Sequence, residues 1–436
     1  MFISMRAAII SIGDEIVLGQ ALDSNSAWIS DQLIAHSIQT IEHCTVADDR
    51  AQIAQAIKRL AEKVDVLLLT GGLGPTDDDL TREAMGEAIW PGKPLIGDPS
   101  AVTRLEKWFS KYGSKMPRSN LKQALRTETA SFLDNPNGTA LGLADKLGDC
   151  QIFAMPGPPS EMKPMFIDHV LPSIASIDED QSLLTMTVHS YGLGESVAAQ
   201  RLGELTDRNR KPLVGTTVSG SMLAARIIAH GNKDQAQREL NETALLVEQS
   251  WEPYTFGRDE DTLSSSVGDL LRKVGKTVTT AESCTGGLLG KMIVDVSGSS
   301  SYYRGGWITY TNELKMDCLE VPLEILDSNG AVSKQTASAM AKGALKKAGA
   351  DYSLAITGIA GPEGGSKEKP VGLVYIAIAQ QTENDEPVIV RGFRFTGDRG
   401  MIRDRAAKSA LQMLRFVMMN VNPMTALIWQ LTDECD

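Results

Sequence analysis

Residues 64–72, VDVLLLTGG, decide the fold of the first part of the chain. The aliphatic run VLLL stands between an acidic residue and two glycines, which is typical of a strand buried on both faces. Upstream, the strand-like segments AAIISIG and TIEHCTV alternate with segments whose apolar residues recur at helical spacing. Repeated βαβ units of this kind predict a parallel sheet covered by helices, with ligands bound at the carboxyl ends of the strands.

Two changes of pattern divide the 436 residues into three parts and a tail. Beyond the polar stretch PSIASIDEDQS, the segments LVGTTVSGS and LAARIIAHG predict a hairpin that is flanked by helices. After FGRDEDT, an apolar helical stripe that ends at Val274 is followed by the strand-like TVTTA, YSLAITG and PVGLVYIAIA. We therefore expect an α/β domain over residues 1–172, a small α+β module over 173–257, a second α/β domain over 258–420, and a tail over 421–436 with no informative pattern.

Charge and composition exclude several classes of protein. The formal charge of −12 and the pI of about 5.1 oppose a nucleic-acid partner held by phosphate neutralisation. The central module has few aromatic residues and no GxxG loop, so we expect it to be a spacer or a dimer element. Five cysteines without CxxC spacing predict reduced thiols, and no apolar stretch is long enough to span a membrane. We therefore expect a cytoplasmic protein.

Residues 279–287, TTAESCTGG, place Ser283 beside Cys284 where a predicted strand turns into a helix. Small residues at such a junction let backbone N–H groups converge on an anion, although Ser and Thr are also ordinary helix caps. Cysteine gains thiolate character at a helix N-terminus, but it is also a common buried apolar residue. The residues of the turn leave both nucleophiles open.

No histidine follows His230, so a serine nucleophile in this part of the chain needs another base. A buried lysine or a tyrosinate can serve, and ITYTNELK supplies Lys315, with Tyr310 as relay or alternate. The loops TGIAGPEGG and TGDRGMIRDR add glycine, threonine and arginine after other predicted strands. Three such loops predict one pocket.

The amino-terminal part carries a second candidate site. The TGG that follows VDVLLL offers a phosphate-binding turn, and the acids of TDDD could hold a divalent cation that bridges phosphate oxygens. Acids in the first turn of a helix also interact favourably with its dipole, and Thr76 could cap that helix. Three adjacent acids exceed what capping requires, so we favour a metal or ligand site.

The carboxyl-terminal motifs TAESCTGG, GSSSYYRGGWITYTNELK, TGIAGPEGGSKEKPVGLVY and TGDR resemble those of the competence/damage-inducible protein A family over residues 260–420. Free-standing relatives in that family are nicotinamide mononucleotide deamidases. The resemblance implies that Ser283 attacks the carboxamide, that Lys315 is its base, and that no cofactor is needed. It implies further roles in supporting the dyad (Tyr310), in forming an oxyanion hole or contacting substrate (Cys284, Thr285, Gly286 and Gly287), and in binding substrate or its phosphate (Thr357, Gly358 and Arg399).

The amino-terminal motifs TGGLGPTDDDLT and MPGPPSEM resemble the three-layer α/β molybdopterin-binding fold at the front of the same family, over residues 5–172. In several relatives this domain is a metal-dependent ADP-ribose pyrophosphatase. The resemblance then implies residues that bear on a divalent metal ion (Asp78 and Asp79), on phosphate (Thr70, Gly71 and Gly72), and on the rest of the ligand (Glu15, Asn25 and Glu161).

The leading hypothesis is a bifunctional hydrolase of pyridine-nucleotide salvage that acts on nicotinamide mononucleotide and ADP-ribose. One alternative makes the front domain a non-hydrolytic molybdopterin or nucleotide binder. Another makes the protein a non-enzymatic partner in competence or DNA recombination, which the acidic charge opposes. The resemblance alone implies a homodimer.

Overall fold

The computed structural model describes residues 5–36, 38–174, 182–382, 387–422 and 425–431. The chain divides into two units, Met1–Thr185 with Ala229–Gln237 and Met186–Ile228 with Arg238–Asp436. The small central module and the carboxyl-terminal sheet therefore belong mainly to one unit.

The first unit is a helix-covered sheet. Its strands are β1 (Arg6–Ile12), β2 (Gln39–Val46), β3 (Val66–Thr70), β4 (Ile96–Gly97), β5 (Leu125–Arg126), β6 (Ser131–Leu133), β7 (Gly142–Leu147) and β8 (Cys150–Met155). Its helices are α1 (Asp14–Val17), α2 (Ser24–Ala35), α3 (Arg50–Ala61), α4 (Thr81–Ile89), α5 (Pro99–Lys111), α6 (Pro159–Met165) and α7 (Leu171–Ile174). Six strands form one sheet in the order β2-β1-β3-β8-β7-β6, while β4 and β5 pair separately.

The parallel prediction is confirmed for β2, β1, β3 and β8, and it is wrong for β7 and β6, which run antiparallel. The reason is the connection between β7 and β8, which is only Gly148 and Asp149. A two-residue turn can join antiparallel strands only, since a parallel crossover needs a dozen residues or more.

Strand β3 is buried on both faces, as its unbroken aliphatic run predicts. Leu67 and Leu69 pack under α3 and α4, whereas Val66 and Leu68 pack against α2 and α6 on the other face. Because both faces of the sheet are covered, ligands have access at the strand ends. The carboxyl ends of β1, β3 and β8 meet at one edge, where the amino-terminal candidate residues lie.

The remaining strands form a four-stranded and a five-stranded sheet. They are β9 (Ser182–Tyr191), β10 (Leu213–Ser219), β11 (Met222–Gly231), β12 (Thr255–Arg258), β13 (Val278–Glu282), β14 (Tyr303–Ile308), β15 (Tyr352–Gly358), β16 (Leu373–Gln380) and β17 (Val388–Arg394). The helices are α8 (Glu195–Leu202), α9 (Lys233–Trp251), α10 (Leu263–Val274), α11 (Leu288–Val294), α12 (Asn312–Leu319), α13 (Leu323–Asn329), α14 (Lys334–Ala348) and α15 (Arg399–Met418). The sheet orders are β10-β11-β9-β12 and β14-β13-β15-β16-β17.

The central hairpin prediction is confirmed, because β10 and β11 pair antiparallel through Gly220 and Ser221, both of which have positive φ. The stripe prediction fails at Val274, whose side chain is 55% exposed at the end of α10. There the chain enters the left-handed region at Gly275 and leaves the helix.

Helix α15 packs against α10, β15 and β16 on one side and against the central module on the other. The hydroxyl of Tyr191 in β9 donates to the carbonyl of Arg405, 3.0 Å away, and Gln412 donates to the carbonyl of Tyr191, also at 3.0 Å. Within the tail, residues 425–431 make contacts that its sequence does not indicate. The amide of Ile428 donates to the Gly192 carbonyl at 2.7 Å, and Gln430 bridges to β17.

The chain is thus an α/β protein with an amino-terminal layered α/β fold, a small α+β module and a carboxyl-terminal α/β fold. Across the described ranges, none of the helices has both the length and the apolar character that crossing a membrane would require.

Candidate active sites

Ser283 lies in the turn that follows β13, at the carboxyl end of this strand, which pairs with β14 and β15 in the five-stranded sheet. The chain then passes through Gly286 and Gly287, with φ of 58° and 91°, before α11 begins. A side chain at Gly287 would be strained in this conformation, and its Cβ would lie 2.9 Å from the side chain of Ile308. The two glycines therefore let a strand reverse tightly into a helix beside Ser283.

Ser283 and Lys315 lie together, as the sequence predicts. The Nζ atom of Lys315 is 3.2 Å from Oγ of Ser283, and it is 2.8 Å from the carbonyl oxygen of Thr309. Lys315 is only 1% exposed, and this burial lowers its pKa, because an ammonium ion loses hydration there. A lysine held in this way can take up the proton of a serine hydroxyl.

The structure disfavours Cys284 as the nucleophile. Its side chain is buried, and burial raises the pKa of the thiol to about 12. The reactive thiolate is therefore scarce at neutral pH. Of the two nucleophiles that the sequence leaves open, Ser283 is the one with a base beside it.

The anion-binding turn predicted from TTAESCTGG is wrong in one respect. The amides of Gly287, Leu289 and Gly290 donate to the carboxylate of Glu282, at 3.0, 3.1 and 2.8 Å. The N–H groups at the start of α11 are thus already bonded to a carboxylate of the chain itself. The prediction from sequence treated these N–H groups as open to a ligand and did not consider Glu282. The predicted residues Gly286 and Gly287 shape the turn, and the amide of Gly287 is already bonded.

The other amides of the turn fall into two pairs. The amide of Ser283 donates to the Ile356 carbonyl, and the amide of Gly286 donates to the Ser283 carbonyl. Within the described part of the chain, the amides of Cys284 and Thr285 donate to no other residue. Both follow Ser283 within two residues along the chain, so they are candidate donors to an oxyanion that forms at this serine.

Arg399 and Arg403 lie near the start of α15 and are called the rim arginines below; Arg403 contacts the turn, whereas Arg399 contacts Tyr310. Arg399 donates to the Tyr310 hydroxyl at 3.1 Å and to the Gly361 carbonyl at 2.7 Å. Arg403 donates to the Thr285 carbonyl at 2.7 Å. In the described ranges neither arginine has a carboxylate within ion-pair distance, so both guanidinium groups are available to pair with an anionic ligand.

The remaining carboxyl-terminal candidates are placed differently from one another. Tyr310 is 56% exposed, and its hydroxyl contacts Arg399; no hydrogen bond joins it to Ser283 or Lys315 among the described residues. The buried hydroxyl of Thr357 donates to the Ala331 carbonyl at 2.6 Å, so it supports a neighbouring loop. Gly358 ends β15.

A cleft of about 410 Å³ lies at the carboxyl edge of the amino-terminal sheet. Most of the residues predicted there line it, namely Glu15, Gly71, Gly72, Asp78, Asp79 and Glu161. It is also lined by Asp48, an acid that the sequence analysis did not single out. Gly71 and Gly72 have φ of 105° and 63°, which allow the tight turn after β3.

Asn25 and Thr70 lie together, behind the residues that line the cleft. The Nδ2 atom of Asn25 donates to the Thr70 hydroxyl at 2.9 Å and to the Gly157 carbonyl at 2.8 Å. The Thr70 hydroxyl in turn donates to the Pro156 carbonyl, so it is a structural link here. The Oδ1 atom of Asn25 is buried without a partner in the described structure, which makes it an open acceptor.

The two predicted metal-binding acids differ in their surroundings. The Asp79 carboxylate accepts from the amides of Gly74 and Thr76, at 2.7 and 2.9 Å, and so holds the loop together. Asp78 is exposed, and its pKa is lowered by the Thr76 hydroxyl and by nearby Lys122. Asp78 is therefore free for a ligand, whereas Asp79 is committed to the loop.

Negative charge is concentrated in this cleft. The backbone amides of Asp14 and Asp48 donate to each other's carboxylates, and the pKa of Asp48 is raised by burial and by the charges of Asp14, Glu15 and Asp78. Over the residues described, however, no three Asp, Glu, His or Cys side chains are grouped as metal ligands. These acids suit a Mg²⁺-like ion only if it takes its other ligands from water and from a bound phosphate.

Comparison with known proteins identifies the family. Residues 260–418 match the CinA C-terminal domain, residues 8–176 a probable molybdopterin binding domain, and residues 185–257 the damage-inducible protein CinA KH domain. A CinA-like protein of Geobacter metallireducens is 40% identical over 94% of this chain and 98% of its own length. The chain belongs to the CinA family. A second CinA-like protein, from Geotalea daltonii, is 38% identical over the same shares.

Solved CinA-family structures match about a third of this chain. The competence/damage inducible protein CihA from Agrobacterium tumefaciens is 42% identical, covering 36% of this chain and 93% of that one, with a TM-score of 0.34. CinA from Thermoplasma acidophilum is 31% identical, covering 39% and 99%, with a TM-score of 0.37.

The KH assignment of the central module was missed from the sequence. KH domains bind nucleic acid through a GxxG loop, and residues 185–257 contain no two glycines at that spacing. The loop was the signal that could have identified the fold, and this CinA chain lacks it. The match therefore supplies a fold for the module without its usual nucleic-acid clamp.

Proposed function

We propose that the carboxyl-terminal site hydrolyses the amide of nicotinamide mononucleotide to nicotinic acid mononucleotide and ammonia. The observation that carries this proposal is the buried Lys315 amine 3.2 Å from Oγ of Ser283. The two residues that follow Ser283 have backbone amides that donate to no other described residue, and such donors can stabilise an oxyanion.

The reaction begins when neutral Lys315 takes the proton of Ser283, and Oγ attacks the carboxamide carbon. The oxyanion that forms is stabilised by the amides of Cys284 and Thr285. The C–N bond then breaks while Lys315 returns its proton to the leaving nitrogen, so ammonia departs and an ester to Ser283 remains. Water, deprotonated by Lys315, attacks this ester and releases the carboxylate with the serine restored.

The two arginines at the rim favour a phosphorylated substrate. Arg399 presents its guanidinium beside Tyr310, and Arg403 lies against the turn itself. Guanidinium groups pair readily with phosphate oxygens. A nicotinamide carried on a ribose phosphate brings both the carboxamide and the anion that such a site needs.

Ammonia release by wild type, Ser283→Ala, Cys284→Ala and Lys315→Ala tests this function. We expect losses of about a thousandfold or more for the serine and lysine variants. Bound nicotinamide mononucleotide without ammonia release by the wild type would refute the deamidase proposal. Loss in Cys284→Ala with retention in Ser283→Ala would refute the choice of nucleophile.

We also propose that the amino-terminal cleft is a metal-dependent ADP-ribose pyrophosphatase that releases AMP and ribose 5-phosphate. The acidic cleft and Lys122 near Asp78 support a nucleotide held with a divalent cation. A non-hydrolytic molybdopterin or nucleotide binder is the alternative. AMP formation that needs a divalent metal and disappears in Asp78→Ala would favour the enzyme; binding without AMP would favour the alternative.

Assembly and location complete the proposal: a cytoplasmic homodimer that does not bind DNA. The charge of −12 and the missing GxxG loop support the last point. Light scattering tests the dimer. A salt-dependent gel shift with DNA would revive the competence or recombination hypothesis.

A further inference from the structure

Glu282 is a buried acid that the reaction described above does not use. It is 1% exposed, immediately precedes Ser283, and accepts hydrogen bonds from three amides of the following turn and helix. Burying a carboxylate is costly unless its charge is compensated, and here three N–H groups supply that compensation. The acid thus ties the turn to the end of β13.

The backbone of Glu282 also reaches the base. Its carbonyl accepts from the amide of Thr309 at 2.8 Å, and the carbonyl of Thr309 lies 2.8 Å from Nζ of Lys315. One residue therefore bonds to the turn that carries the nucleophile and to the segment that orients its base. The side chain controls the first of these contacts, and the main chain supplies the second.

We infer that Glu282 is a positioning residue whose carboxylate holds Ser283 and the amides of Cys284 and Thr285 in reactive geometry. The inference rests on the proposed amidohydrolase function and deepens it. Without the carboxylate, three amides of the reversal lose their acceptor and the turn relaxes, while the rim arginines stay in place. The loss then falls on kcat, because displacing a nucleophile by about 1 Å can cost about 100-fold in rate.

Glu282→Gln is the direct test, since it keeps the size of the side chain but places an NH₂ group against a backbone N–H. Glu282→Asp keeps the carboxylate but shortens the side chain by one methylene group, which moves the carboxylate away from the three amides. Asp351→Asn is the matched control, because Asp351 accepts from Thr277 at the opposite end of β13, at 2.8 Å from both its amide and its hydroxyl. All three variants perturb a carboxylate that anchors the same strand.

We expect kcat for ammonia release to fall about 100-fold in both Glu282 variants with KM changed less than about threefold, and to stay near wild type in Asp351→Asn. We also expect the amides of Gly287, Leu289 and Gly290 to exchange hydrogen about tenfold faster in both Glu282 variants and at the wild-type rate in Asp351→Asn, at equal global stability. Unchanged exchange, a loss confined to KM, or an equal loss in Asp351→Asn would overturn the inference. If the wild type releases no ammonia, the proposed function fails, and the exchange comparison still decides whether Glu282 holds the turn.

Discussion

Lys315 meets Ser283 from a different element of the fold: the lysine lies on α12 and the serine follows β13, yet Nζ and Oγ are 3.2 Å apart. The strands β13 and β14 run parallel and adjacent, so their carboxyl ends deliver nucleophile and base to the same place. Two carbonyl groups near the start of α12 accept from the same amine and fix its direction.

The pH dependence of ammonia release should follow the lowered pKa of Lys315. Burial shifts this pKa below the usual 10.5, and only the neutral amine can accept the serine proton. We therefore expect kcat/KM to rise with pH through the lowered pKa and then to level off. A profile that stays flat from mildly acidic to alkaline pH would contradict lysine as the base.

Lys315→Met separates catalysis from stability. The variant should lose about a thousandfold or more in kcat. In the wild type the folded pKa lies below the unfolded one, so the unfolded chain binds more protons and stability rises as pH increases towards 10.5. Denaturant unfolding at pH 7 and at pH 9.5 should show this rise in the wild type and a smaller one in Lys315→Met. An equal rise in the free energy of unfolding between pH 7 and pH 9.5 in the two proteins would contradict the argument that burial lowers the pKa of Lys315.

Cys284 should resist alkylation in the native protein. Burial raises the pKa of its thiol to about 12, whereas Cys318 is only half-buried and provides an internal reference. Mass spectrometry after iodoacetamide treatment at pH 8 should find Cys318 modified before Cys284. Cys284→Ala should keep activity within about tenfold, because the backbone amide remains. Rapid modification of Cys284 with parallel inactivation would reverse this assignment.

Asp78 and Asp79 should separate ligand binding from loop stability. Asp79→Ala removes the acceptor of two loop amides and should lower the free energy of unfolding by about 1–3 kcal/mol. The exposed Asp78→Ala should change stability by no more than about 0.5 kcal/mol but weaken metal-dependent ADP-ribose turnover. Urea unfolding and AMP formation measure the two effects. The reverse pattern would show that the loop and ligand roles are exchanged.

The features that could be predicted from sequence are those with a strong local signal. The aliphatic run of β3 predicts a strand buried on both faces, and TTAESCTGG with ITYTNELK predicts a nucleophile at Ser283 or Cys284 with Lys315 as its base. Features that depend on a partner elsewhere in space could not be predicted. The residues next to Glu282 in the sequence do not indicate that its carboxylate accepts from the amides at the start of α11. Those next to Asp79 do not indicate that both of its oxygens accept from its own loop.

The antiparallel direction of β7 and the contacts of residues 425–431 were missed for related reasons. The βαβ repeats that precede Gly148 predict further parallel strands, whereas the chain forms an antiparallel hairpin at Gly148. The short turn was therefore not recognised from the sequence. The tail sequence has no periodicity, and its described residues 425–431 are held by hydrogen bonds from Ile428 to Gly192 and from Leu431 to Gly392.

Helix α15 is buried on both sides, and this has a consequence for how the second unit folds. Tyr254 of the central module packs edge-on against Phe416 at 5.8 Å, and Arg415 donates to the Pro253 carbonyl at 2.8 Å. The opposite side of the helix packs on β15 and β16 of the carboxyl-terminal sheet. One helix thus packs against both the central module and the carboxyl-terminal sheet. The central module and the carboxyl-terminal α/β fold should consequently melt in a single cooperative transition.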